Sequence, residues 1–108
     1  EHLEWDGLDE TATHLIAESA DGEAIGTVRL LKDGHIGRMA VMQPWRGRGV
    51  GRALLGAILA AAREAGLDAV FLHAQVEAIP FYERSGFVAE GEVFMDAGIP
   101  HRTMRRSL

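Results

Sequence analysis

Apolar residues recur with two different periods along this chain. Up to residue 42 they come in short runs separated by turn signals. Residues 13–18 and 24–32 read as two strands, and Asp21-Gly22 between them is a hairpin signal. Lys32-Asp33-Gly34 is a second turn and residues 35–42 a third strand, which predicts an antiparallel meander. The period then changes. Leu54, Leu55, Ile58, Leu59 and Ala62 recur at helical spacing with alanines between them, predicting a helix over 49–65 that stops at Gly66. Residues 69–74 form a nearly continuous apolar run, the pattern of a strand covered on both faces. The resulting strand–helix–strand unit predicts parallel pairing of its strands. Residues 79–85 read as a second, short helix with Pro80 in its first turn and Gly86 at its end. Two closing strands, 87–95 and 100–106, are joined by Asp96-Ala97-Gly98. The fold class predicted is α+β with mixed, mostly antiparallel strands.

A length of 108 residues supports one domain with one core. Apolar residues make up 47% and charged residues 25%, as in ordinary globular proteins. Cysteine is absent, which excludes disulfides and thiolate metal sites. The apolar runs fall short of the ~20 residues that span a bilayer, and no secretory signal opens the chain, so the expectation is cytoplasmic with no membrane partner. The net charge of -5 argues against nucleic acid. That charge is unevenly placed. Glu1, Glu4, Asp6, Asp9, Glu10, Glu18, Asp21 and Glu23 all precede the first arginine, Arg29; arginines gather at 46, 48 and 52 and again at 102, 105 and 106. An anionic cofactor near the first arginine group and a cationic substrate near an acidic rim suit this pattern. A merely solvated acidic surface suits the N-terminal acids equally.

The segment Gln-Pro-Trp-Arg-Gly-Arg-Gly-Val-Gly-Arg at 43–52 sits between the third strand and the first helix. Glycines allow close main-chain approach to an oxyanion, and a helix start leaves N–H groups unpaired at the positive end of its dipole. Arg46, Arg48 and Arg52 add fixed charge. Two familiar phosphate loops fail on spacing. The dinucleotide fingerprint would need glycine where Arg52 stands, and the Walker loop needs Gly-Lys-Ser/Thr, whereas the only lysine is Lys32. A tight turn with solvated arginines is the alternative reading of this stretch alone.

A second stretch runs Gln75-Val76-Glu77-Ala78-Ile79-Pro80-Phe81-Tyr82-Glu83-Arg84-Ser85-Gly86-Phe87. Together with Arg46-Gly47-Arg48-Gly49-Val50-Gly51 it resembles the GNAT superfamily of N-acetyltransferases, which pair an Arg/Gln-x-x-Gly-x-Gly turn with a later Asn-x-x-Ala-x-x-Phe-Tyr-x-x-x-Gly-Phe pattern. Gln75 replaces the asparagine. The ending Ala97-Gly98-Ile99-Pro100-His101-Arg102-Thr103-Met104 is similar to one bacterial branch of that superfamily with no well-assigned substrate. The resemblance implies an α/β/α-sandwich-type acyl-CoA N-acyltransferase fold with a central splayed parallel strand pair. Residues 1–108 would then be a single domain lacking the family's first strand and one or two helices.

The resemblance also implies acetyl-CoA as cosubstrate and no metal. Main-chain N–H groups of Gly47, Arg48, Gly49, Val50, Gly51 and Arg52, with Arg46 beside them, would bind the pyrophosphate. The strand segment Met39, Ala40 and Val41 would bond to the pantetheine arm as an added strand does, and Gln75 would hold a pantetheine amide. Tyr82 matches the general acid that protonates the departing thiolate; packing alone would also account for a tyrosine there. A base or a water path for the acceptor amine is expected, and His35 and His73 are the candidate bases, although a lone strand histidine is commonly structural. His2, His14 and His101 show no metal-ligand spacing, and Ser85 lacks an esterase nucleophile's setting. The acceptor is an amine on a small molecule or peptide: a polyamine, an aminoglycoside, a lysine side chain and a protein N-terminus all fit. A homodimer is open, since another chain could supply the missing strand. The competing functions are a non-catalytic CoA-binding module and a ligand-free interaction domain.

Overall fold

The computed structural model describes the main chain of residues 2–8 and all of residues 12–108. Four strands form an antiparallel meander: β1 (His2–Leu8), β2 (Ala12–Glu18), β3 (Ala24–Leu31) and β4 (Ile36–Val41). Three more form a second ladder, β5 (Ala69–Gln75), β6 (Val88–Asp96) and β7 (Ile99–Ser107), with β7 in the middle. Helix α1 (Val50–Glu64) connects the two ladders, and the short α2 (Ile79–Glu83) follows β5. These elements fall where the apolar periods predict them. The exception is β1, whose backbone pairs with β2.

The core lies between α1 and one face of the strands. Leu54, Leu55, Ile58 and Ala62 are fully buried, each of the larger side chains contributing about 1.5–3 kcal/mol of burial. They meet Leu15, Val28, Ile36, Val70, Leu72 and Met104 from both ladders, so a single core spans the molecule. The α2 side belongs to the same layer, because Ile79, Phe81 and Tyr82 pack on this core. Among the described residues both helices thus cover one face, giving two of the layers of the sandwich.

One expectation changes here and another holds. The apolar run of β5 is buried on one face only: Val70, Leu72 and Ala74 are buried, while His73 and Gln75 are exposed. Its neighbour in the ladder is β7, paired antiparallel. The splayed parallel pair is β4 and β5, joined by one parallel bridge, His35–Phe71, with the Phe71 N–H donating to the Gly34 carbonyl at 3.0 Å. Beyond that point the two strands part.

The parting has a local cause in β4. Its register with β3 runs from Thr27–Ala40 to Arg29–Gly37, so Val28 alone stands opposite both Arg38 and Met39. This is a β-bulge, which bends the strand and increases its twist. Arg38 adopts φ 52°, a left-handed conformation that L-residues rarely take.

Candidate active site

The main-chain groups of β4 alternate in direction. Met42 N–H donates to Ile25 at 2.8 Å, so Met42 and Ala40 address β3. Met39 and Val41 therefore point their N–H and C=O groups the other way, into the gap left by β5. The Val41 carbonyl is met there by Nε of Arg46 at 3.0 Å.

The glycine turn follows at once. Gln43–Trp45 makes one 3-10 turn, with Trp45 N–H donating to Met42 at 2.8 Å. Gly47 and Gly49 then take φ 78° and 85°, a region open to glycine and costly for residues with a Cβ. Gly49 is the N-cap of α1 and no side chain caps the helix. The helical ladder begins with Ala53 N–H donating to Gly49. The N–H groups of Val50, Gly51 and Arg52 stand ahead of it, as the first groups of a helix do.

Turn, gap and α2 enclose a cleft of about 880 Å³. Its floor is Met39, Ala40 and Val41; Trp45, Arg46, Gly47, Gly49, Gly51 and Arg52 form one wall and Ala78, Phe81, Tyr82, Arg84 and Ser85 the other. None of the described residues that line it is acidic, although the chain as a whole carries -5. With Arg46, Arg52 and Arg84 at the mouth and a helix N-terminus in the wall, the cleft suits a polyanion with an extended, partly apolar arm.

Tyr82 is half-buried in this wall. Its ring packs edge-on against Phe81 and Phe87, at 5.0 and 6.0 Å. Burial raises the pKa of its phenol above 10.0, so the hydroxyl keeps its proton at neutral pH. Ser85 N–H donates to the Tyr82 carbonyl, which makes Ser85 part of the turn that ends α2.

Several predicted residues stand elsewhere. Arg48 lays its guanidinium over the Trp45 ring at 4.9 Å, outside the cleft lining. The Val50 side chain is in the core, leaving only its N–H at the helix start. Gln75 ends β5, exposed and in register with His101, and does not line the cleft. His35 and His73 lie on the other side of the strands. Their rings are 5.0 Å apart, and His35 stacks on Phe71 at 4.9 Å and 8°. The pKa of His35 is lowered by burial first and by the His73 charge next, with Asp33 opposing and Arg29 adding a further lowering. His101 is buried and bonds the Ile99 carbonyl through Nδ1 at 2.7 Å, a structural role.

Trp45, Phe81 and Arg84 are among the cleft residues that carried no signal in the glycine pattern itself. Trp45 was readable only as the aromatic after Pro44. Arg84 was readable only as the basic residue two positions past Tyr82.

The sequence matches the acetyltransferase (GNAT) domain family over residues 4–108. The chain belongs to the GNAT acetyltransferase family. The uncharacterized N-acetyltransferase YjcF of Bacillus subtilis is 36% identical to this GNAT chain, covering 95% of it and 76% of YjcF. Among solved structures, an acyl-CoA N-acyltransferase from Pseudomonas aeruginosa superposes with a TM-score of 0.82 at 39% identity, over 94% of this chain and 73% of that one. Escherichia coli ElaA gives the same TM-score at 32% identity, over 94% and 72%. The GNAT protein described here is therefore an acetyltransferase with the acyl-CoA N-acyltransferase fold, and the family's acetyl donor is acetyl-CoA. No helix among the described residues is long and apolar enough to cross a membrane.

Proposed function

We propose that this GNAT protein transfers the acetyl group of acetyl-CoA to a primary amine by direct attack, with Tyr82 as the general acid. The observation that carries this reading is the position of Tyr82. It lines the same basic cleft as the glycine turn and the free edge of β4. The N–H groups from Gly47 to Arg52 take the pyrophosphate, with Arg46, Arg52 and Arg84 around it. The outward main-chain groups of Met39 and Val41 receive the amide-bearing arm, which brings the thioester to the gap beside Tyr82.

The acceptor nitrogen must be unprotonated to attack. It approaches from the side of the strands that carries His35 and His73. His35, with its pKa lowered, is neutral near pH 7 and can take the amine proton through water. The departing sulfur takes a proton from the phenol of Tyr82, so the amide product and neutral CoA thiol leave together.

Tyr82→Phe tests the assignment. A general acid contributes about 10²–10⁴-fold, so kcat should fall by at least about 10² while acetyl-CoA affinity stays unchanged. Equal kcat in the variant would remove Tyr82 from the chemistry. Wild-type protein that binds CoA but acetylates nothing in a broad amine panel would be a CoA-binding module instead.

A further inference from the structure

We propose that Arg29 anchors an anionic group of the acceptor, so that the preferred substrate is an amine that also carries a carboxylate. The inference rests on the acetyltransferase reading above and names the acceptor class for that site.

The position of Arg29 follows from strand alternation. A Cβ on Gly26 would meet Leu54 and Val50, so Gly26 faces α1, and Val28 and Leu30 continue that buried face. Arg29 therefore projects to the opposite side, the side of His35. Its cross-strand neighbour on β4 is Gly37, the residue before the Arg38 bulge. Gly37 has no side chain to block it, and Nη2 of Arg29 lies 3.7 Å from where a Gly37 Cβ would stand. The guanidinium thus lies over β4 toward the strand gap, on the face from which the amine would come.

The group is charged, and one of its donors is unmatched. Nε of Arg29 is shut off from solvent and has no hydrogen-bond partner. Native proteins rarely leave a buried charged donor in that state. Two of the described acids on this side have other partners: Asp33 accepts the His35 main-chain N–H at 3.0 Å, and Glu90 holds Arg105 at 2.6 Å. Arg29 is also close enough to His35 to contribute to its lowered pKa.

The chemistry of the missing partner is constrained. A planar guanidinium matches a carboxylate in a two-point fork, which a lysine cannot do. A phosphate carries a charge near -2 and calls for several cations, whereas the imidazole beside Arg29 is held neutral. A single carboxylate balances a single guanidinium. The acceptor is then an amine that also carries a carboxylate, where the acidic N-terminal residues suggested a cation.

The experiment compares α-amino acids with their own α-amides as acceptors, at saturating acetyl-CoA. The wild type should favour the free acid by about tenfold or more in kcat/KM, the size expected of a charge-assisted hydrogen bond. Arg29→Gln should bring each pair to near-equal rates, with the KM for acetyl-CoA unchanged. Arg29→Lys should fall between the two, and it carries the comparison if Arg29→Gln does not fold. Equal rates for acid and amide in the wild type would overturn the proposal, as would an Arg29→Gln protein slowed equally on both. If no amine is acetylated at all, the enzyme reading fails and the anchor is read by binding alone. In that case an N-acetylated amino acid, added to CoA-loaded protein, should move the Arg29 Nε–H resonance in wild type, and its α-amide should not. A resonance unmoved by the acid overturns the anchor independently.

Discussion

At the scale of single residues, the environment of Tyr82 sets the terms of the chemistry. A phenol near 10 is a weaker acid than a thiol near 8.5, so handing the proton to sulfur is uphill by about 2 kcal/mol, and burial increases that figure. The compensation is that Tyr82 is protonated across the physiological range. Its share of the kcat profile should be flat through neutrality and fall only above about pH 10; an alkaline limb near pH 8 that vanishes in Tyr82→Phe would contradict this. Gly51 offers a cleaner probe of the donor site than Gly49. Gly49 has φ 85°, so any side chain there strains the turn before it meets a ligand. Gly51 is helical, and a Cβ on it would sit 3.4 Å from Phe81, a contact that needs little adjustment. Gly51→Ala should leave the melting temperature unchanged or slightly raised. It should weaken acetyl-CoA binding by about tenfold or more, since the methyl group enters the path of the phosphates. Unchanged affinity, measured by calorimetry, would move the donor elsewhere. His35 gives a stability prediction. Its folded pKa lies below 6.5, so the folded state binds this proton less readily than the unfolded state, and stability is lost as pH falls through about 6.5. His35→Gln should flatten that acid-side loss in urea titrations at pH 5 and 7.

At the scale of elements, the bulge in β4 and the hairpin between β6 and β7 show two uses of left-handed backbone. Ala97 and Gly98, at φ 53° and 77°, make a two-residue turn of the type that twists with its strands. Alanine is poorly suited to the first position, and Ala97→Asn should stabilise the protein by about 0.5–1 kcal/mol, visible as a few degrees in thermal melts. An unchanged or lower melting temperature would mean that the turn is held by something other than its own preference. The hairpin was legible in the sequence because Asp-Ala-Gly between two apolar runs is a local signal. So was α1, whose apolar stripe reports its packing directly. The bulge was not legible: Arg38 carries no glycine or proline mark, and its left-handed φ is imposed by tertiary pairing. The strand–helix–strand pattern alone predicts parallel pairing, and the splaying was legible only through the family resemblance. The one-sided burial of β5 was hidden for a similar reason, since Phe71 reads as core although its ring stacks on His35 on the outer face. At the candidate site, the turn and Tyr82 were readable as motifs. The direction of Gln75 and the diversion of Arg48 onto Trp45 depend on side-chain geometry that spacing does not encode.

At the scale of the whole molecule, two ladders share one core and, among the described residues, are joined strand to strand by one β-bridge, and the cleft opens where they separate. The joint is tight. Gly34 has φ 95°, and a Cβ there would stand 2.8 Å from the Ala69 carbonyl. Gly34→Ala should therefore cost about 2 kcal/mol or more and loosen the donor site together with the fold, because it pushes the strands apart at the bridge that joins them. A ligand in the cleft acts in the opposite sense. It would bond to β4 and the first turn of α1 on one side and pack against α2 on the other, holding the gap at a fixed width. Mass action alone gives about 2.7 kcal/mol of stabilisation at a hundredfold excess over Kd, whatever the contacts. Where the protection falls is the stronger test. Amide exchange with acetyl-CoA bound should slow most at Met39, Val41, Gly51 and Arg52, whose N–H groups face the cleft or begin the helix, and should slow also around Tyr82. The β6–β7 turn should respond only through global stability. Uniform slowing across both ladders, with no excess at those amides, would mean that the donor binds the protein without bridging its two halves, and the cleft would lose its place as the site of transfer.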